Sequence, residues 1–392
     1  TAQATPYSGL WSLRPRGWSP LFEIQATDLN IAPEQVIAGG SIQGVDAAHT
    51  LGWQLFARSD LALNRPSVVA SVDVERWEPR WSGVLSWVDG FSYATRGFHL
   101  LALPNRRFSG RLGGRWGLPF AREALAFDAG LRLSHTGLID DEELWRKRAG
   151  VPEPFGPEPS EPNQGTELQV SAGLAWDRSE RYPDSIEIER QRRLGLFISY
   201  ADHWSLASRR LLRADLHGDF SWPLGGHRVL HWRSRVGWAL EHPQGDPAFR
   251  LEGLSPWSAE TLLFGGAGSD FGVVRGVLQP VSGGQIVAGR GLLWSSLALH
   301  LPLADLGTGL DLLPVFLGRS RLSLFADGAV LSADLDYERR HATTSPGAVA
   351  SLGGELRVDL ETGYVAQGSL RLGFARAFGD INSSQWYIRL GY

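Results

Sequence analysis

The chain has 392 residues, a mass of 43.0 kDa, a formal net charge of −4 and a mean hydropathy of −0.15. It holds no uninterrupted run of 18 apolar residues, which excludes a membrane protein built from helices, and its charge balance excludes a strongly basic nucleic-acid binder. The absence of cysteine removes disulfides, zinc–thiolate centres and cysteine nucleophiles, while 47 glycines, against about 27 at average usage, and 16 tryptophans point to many strands and tight turns.

Residues 1–34 contain Pro6, Pro15, Pro20 and Pro33, a poor composition for a strand, and are expected to form a periplasmic lead-in. Methionine is absent, so Thr1 is not a translation start, and the chain reads as a mature or trimmed product. From residue 35 onward apolar and polar residues alternate with period 2, the signature of strands with two unlike faces. Such segments cover 35–45, 48–59, 66–77, 80–89, 92–103, 107–118, 122–135, 166–178, 190–203, 207–222, 227–241, 287–303, 316–331, 346–360, 363–378 and 384–392. A further segment, 259–267, follows a Pro- and Gly-rich stretch and reads as part of a long loop, which leaves sixteen strands.

The two faces are sharply different. Leu212, Ala214, Leu216, Phe220 and Trp222 oppose Arg213, Asp215, His217 and Asp219. Leu230, Trp232, Val236, Trp238 and Leu240 oppose His231, Arg233 and Arg235; Leu322, Leu324, Ala326 and Val330 oppose Arg321, Ser323, Phe325 and Asp327. A soluble sandwich also alternates, with its apolar face in the core. Here the strands have the length, about 9–11 residues, that crosses a bilayer when tilted. The pattern runs through the whole chain, and Trp and Tyr recur near strand ends, as at a membrane interface. The expectation is an all-β, 16-stranded antiparallel transmembrane barrel over 35–392, apolar toward lipid and charged toward its lumen. Its long loops are 137–165, which carries Asp140, Asp141, Glu142 and Glu143, then 242–286 and 332–345.

Conventional catalytic signatures are missing. There is no G-x-S-x-G, and the Gly-rich stretch 264–270 lacks dinucleotide-binding spacing. His227 and His231 would lie about 13 Å apart on a strand at ~3.3 Å per residue, too far to share one metal ion. The acidic run 140–143 reads as a solvated loop face. No enzyme, cofactor or metal site is expected.

One constellation stands out. Val274, Arg275 and Gly276 lie inside the longest loop, Phe325 and Asp327 on a following strand, and Glu355 on the next. If the loop folds back into the lumen, Arg275 can pair with Asp327 in a charge-assisted, bidentate contact. On spacing alone the plainer alternative, an exposed loop arginine and an ordinary lumen acid, stays open.

The V-R-G of a Gly-rich loop, the F-x-D-G of a later strand and the aromatic terminal strand together resemble the BamA-like superfamily of outer-membrane assembly and secretion barrels, the bacterial surface antigen type. The likeness is clearest over 190–392, where 299–303 resembles a periplasmic strand end; ahead of it 181–185 resembles a turn before a central strand, and 7–20 resembles the lead-in of members with an N-terminal β-propeller. Val277 departs from the aromatic that usually follows V-R-G. The resemblance implies a barrel whose long sixth extracellular loop is folded into the lumen. Arg275, with Val274 and Gly276, would anchor that plug against Asp327, Glu355 and Phe325. It also implies a weak seam between the first and last strands, here 35–45 and 384–392, that opens laterally. An open seam exposes backbone groups able to template an incoming strand. Trp386, Ile388, Leu390 and Tyr392 resemble the C-terminal strand signal by which barrels are themselves recognised. The implied function is insertion or translocation of polypeptide in the bacterial outer membrane. The implied partners are outer-membrane lipid and lipopolysaccharide, and a periplasmic protein or polypeptide substrate, with no nucleic acid. POTRA domains do not fit into 34 residues, which keeps open a structural barrel anchoring a periplasmic partner; a passive diffusion pore also stays open.

Overall fold

An alternating strand can satisfy its backbone in lipid only if every edge is paired, and closing the sheet does this. In the computed structural model, sixteen strands among the described residues close into one antiparallel barrel. The residues described are 13–27, 35–46, 48, 50–61, 65–76, 78–96, 99–120, 123–138, 165–180, 189–201, 211–241, 249–250, 274–275, 277, 286–310, 315–332, 344–345, 347–362 and 366–391. The barrel strands are β1 (Pro15–Thr27), β2 (Gln35–Val45), β3 (Leu51–Asp60), β4 (Arg65–Val74), β5 (Arg80–Arg96), β6 (His99–Phe120), β7 (Glu123–Leu138) and β8 (Gly165–Glu180). They continue with β9 (Arg190–Ala201), β10 (Leu211–Gly225), β11 (Arg228–Glu241), β14 (Gly291–Leu310), β15 (Val315–Leu331), β17 (Gly347–Thr362), β18 (Ala366–Gly379) and β19 (Ser383–Gly391). Each pairs with its neighbours in chain order, and β1 pairs with β19 to close the ring. Three short strands, β12 (Phe249–Arg250), β13 (Ile286–Gly289) and β16 (Thr344–Ser345), form a separate small sheet.

Burial is inverted relative to a soluble protein. Leu85, Leu112, Ile198, Leu216, Leu293, Val330, Leu352 and Ile388 are exposed on the outer face, whereas Ser71, Asp219, Ser296, Arg321, Ser323, Asp327 and Ser351 are buried on the inner one. Leaving each large apolar side chain in water costs roughly 1.5–3 kcal/mol, so the outer face fits hydrocarbon and the polar inner face a lumen.

Two expectations are corrected. Pro15–Thr27 is not lead-in but the first barrel strand, so the seam joins β1, not 35–45, to β19. Its register with β19 begins only at Phe22–Leu390; Pro15 and Pro20 lie in the half of β1 that pairs with β2 alone, an edge where proline's missing donor is tolerated. Second, 80–89, 92–103 and 107–118 are not three strands but two long ones, β5 and β6. Gly90 and Asn105, which look like turn residues, face each other in a ribbon that extends beyond the register of β4, which ends at Ser67–Val88, and of β7, which ends at Asn105–Leu138. These two changes cancel in the strand count. The segments 181–185 and 259–270 lie outside the described residues.

The three longest connections share one end of the barrel. Connections at 46–50, 75–79, 121–122, 226–227 and 311–314 lie at the barrel end where β1 starts and β19 stops, and the long ones, 139–164, 242–290 and 332–346, lie at the other. Among the described residues the tightest is the two-residue turn Gly226–His227, both at φ 57°, a left-handed pair of the kind that joins twisted strands. His227 therefore sits in a turn beside Glu189, while His231, on β11, contacts Asp219.

Candidate functional site

Arg275 belongs to the connection between β11 and β14, and Asp327 lies on the inner face of β15. The structure brings them together. Arg275 Nε donates to Asp327 Oδ2 at 2.7 Å and Nη2 to Oδ1 at 2.6 Å, a bidentate fork, and the Arg275 backbone N–H donates to Oδ2 at 3.1 Å. Nη2 also donates to Ser296 Oγ on β14 at 3.1 Å, and the guanidinium carbon sits 3.4 Å from the centre of the Phe325 ring. The side chains are 14% and 0% exposed. Burial would lower the Arg275 pKa; the Asp327 charge and its hydrogen bonds outweigh burial and raise it, so Arg275 remains a cation. Val274 and Val277, on either side, pack into an apolar cluster with Leu292, Trp294, Ala329, Leu331, Val349 and Ala377. Gly276 lies outside the described residues.

The aromatic parts of this site are seated on glycines. Phe325 faces Gly353 in the β15–β17 register, and a Cβ on Gly353 would overlap its ring. Tyr387 faces Gly373 in the same manner across β18–β19. An aromatic ring over a glycine covers bare backbone and pins the register. So placed, the Tyr387 hydroxyl donates to Glu355 Oε2 at 2.7 Å. Glu355 acts on Arg275 as a more distant counter-charge.

The next inward residue on β19, Arg389, reaches across the seam to β1. Its Nε donates to Glu23 Oε1 at 2.9 Å, and its guanidinium lies 5.3 Å from the Tyr387 ring centre. Glu23, Tyr387 and Arg389 all face inward, so clasp and seam share one wall. A second cluster lies across β10 and β11. Arg213 forks onto Asp215 with Nε–Oδ2 at 2.6 Å, Arg235 Nε adds 2.8 Å to Oδ1, and Phe249 from the long connection covers both guanidiniums at 4.5 and 5.8 Å.

No family model matches the chain, and no curated protein matches it in sequence. Solved structures do. CdiB from Escherichia coli superposes with a TM-score of 0.59 at 12% identity, covering 100% of this chain and 64% of that one. BamA from Haemophilus ducreyi lacking POTRA domains 1–3 gives 0.55 at 11% identity, covering 96% and 70%. CdiB from Acinetobacter baumannii gives 0.55 at 11% identity, covering 96% and 60%. The fold is that of the BamA-like outer-membrane barrels. The chain spans less than two thirds of either CdiB chain.

Within this BamA-like fold, Val274, Arg275, Phe325 and Asp327 converge on one contact and Glu355 stands beside it. Trp386, Ile388 and Leu390 lie apart, on the outer face of β19, where Trp386 packs against Phe374 at 4.5 Å between ring centres. Tyr392 lies outside the described residues. Sequence reasoning missed Ser296, the Tyr387–Glu355 bond, the Glu23–Arg389 bridge and Phe249. The only signal for the second was an aromatic with a glycine one strand away; the third needed the true first strand.

Proposed function

We propose that this chain is a non-enzymatic barrel of the bacterial outer membrane that inserts or translocates polypeptide. The 242–290 connection serves as its plug, the β1–β19 seam as its lateral opening, and the ends of the chain face the periplasm. The buried bidentate clasp between Arg275 and Asp327 carries this reading. It fixes the longest connection against the inner wall with charges that are costly to separate, as a retained plug requires. The seam supports it: its register with β19 runs only from Phe22–Leu390 to Thr27–Gln385. The outer face meets membrane lipid, lipopolysaccharide included, and the outward row Trp386, Ile388 and Leu390 is the strand signal read when the barrel itself is assembled.

The test uses the barrel in planar bilayers and in liposomes. The native protein should conduct weakly, and Arg275→Ala should raise conductance severalfold; high, equal conductance in both would instead make the protein an open pore. Ile24 and Ile388 are register partners across the seam. In a cysteine-free chain, Ile24→Cys with Ile388→Cys allows one intramolecular crosslink, which a non-reducing gel separates from disulfides between copies. Locking should abolish polypeptide insertion or secretion, and reductant should restore it. Full activity in the locked barrel would eliminate the seam from the mechanism.

A further inference from the structure

The 242–290 connection meets the wall at a second place, on the strand pair next to the clasp. Arg213 on β10 and Arg235 on β11 are both held by Asp215, Arg213 Nη2 at 3.2 Å from Oδ1 and Arg235 Nη2 at 2.7 Å from the same oxygen. One carboxylate therefore keeps two guanidiniums side by side on the inner face, and the ring of Phe249 lies over both. At those distances the face of an aromatic ring attracts a cation.

The wall is shaped for this ring. Gly237, the register partner of Asp215, leaves its backbone bare, and a Cβ there would come within 2.5 Å of the Phe249 ring. A glycine inside a strand weakens it and marks a place where another group approaches closely. Phe249 is 4% exposed, and its backbone pairs with Gly289 at the far end of the same connection. The ring thus ties both stems of the connection to β10 and β11. The clasp uses other residues on other strands, with Ser296 on β14 and Phe325 and Asp327 on β15.

We propose that Phe249 is a second anchor of the plug, a positioning residue that holds its stems to β10 and β11 independently of the Arg275–Asp327 clasp. The inference rests on the plug role proposed for the connection. A leucine would fill the same apolar cluster, so what the two guanidiniums select at this position is the aromatic face. With the clasp open, the stems stay at the wall, and the plug remains tethered there.

The test is the rate at which a water-soluble maleimide labels single cysteines in the intact barrel. Ala239→Cys reports on the second anchor, because Ala239 is the register partner of Arg213 and is fully buried. Ser351→Cys reports on the clasp, because Ser351 is the register partner of Asp327 and is 1% exposed. Both should label slowly in an otherwise native chain. Phe249→Leu should speed labelling at 239 about fivefold, the loss of a ring–cation contact, and leave 351 unchanged. Gly237→Ala, which puts a methyl in the seat of the ring, should speed 239 to a similar degree, and the two together should add little, since both act through one contact. Arg275→Ala should speed 351 and leave 239 slow. Rapid labelling at 239 in the otherwise native chain, or an unchanged rate in either Phe249→Leu or Gly237→Ala, would overturn the anchor. Faster labelling of both cysteines in Phe249→Leu would overturn its independence from the clasp. The plug reading fails separately, by an unchanged conductance in Arg275→Ala, whereas labelling at 239 reports on Phe249 whether or not the connection closes the lumen.

Discussion

Asp327 presents no exposed side-chain surface, and both its oxygens are taken by Arg275. Asp327→Asn keeps the shape but leaves a buried guanidinium without its counter-charge, a defect of about 3–5 kcal/mol. The expected result is a lower thermal midpoint in heat-modifiability gels together with raised conductance, and a variant as stable and as closed as the parent would contradict the clasp. Glycines in the wall divide in the same physical terms. Gly373→Ala places a methyl inside the Tyr387 ring, whereas Gly328 has nothing within 4 Å of its missing Cβ. The first should lose about 1–3 kcal/mol through overpacking and the second should stay within about 0.5 kcal/mol of the parent, both read from denaturant unfolding.

Strands differ in how firmly they are held. The β14–β15 register runs from Leu292–Leu331 to Leu310–Val315, while β1 meets β19 only from Phe22 to Thr27. Backbone amides at 22–27 should therefore exchange with deuterium well before those at 292–301, since opening free energy follows local pairing; equal protection would remove the idea of a weak seam. Most elements were legible in the sequence because lipid and lumen impose opposite demands on successive residues, as in Arg213–Trp222 and Arg321–Val330. The misread ones are those where a second rule masks alternation. Pro15 and Pro20 disguise β1, whose half-paired edge tolerates them, and turn-like residues disguise a ribbon that overhangs its neighbours. Arg275 and Asp327 were legible only as candidates, since spacing does not state that a loop returns to a strand. The Glu23–Arg389 bridge was hidden altogether, because register between strands is a property of the closed sheet.

At the scale of the molecule, the inside-out distribution of apolar groups makes the tryptophans reporters of their surroundings. Trp238 and Trp386 are 51% exposed on the outer wall, and Trp294 is 1% exposed against the inner one. In bilayers of brominated lipid, Trp238→Phe or Trp386→Phe should reduce the quenched fraction of fluorescence, and Trp294→Phe should leave it unchanged. The reverse pattern would mean that the apolar face is a dry core.

The Glu23–Arg389 bridge joins residues 366 positions apart in sequence. Bringing ends that distant together costs roughly 5 kcal/mol in chain entropy, plus a constant, more than any single hairpin of the wall costs. The two rims that this bond joins are the same strands that the proposed activity parts. A substitution that strengthens the bond should therefore favour the closed ring and, by the same contact, slow its use.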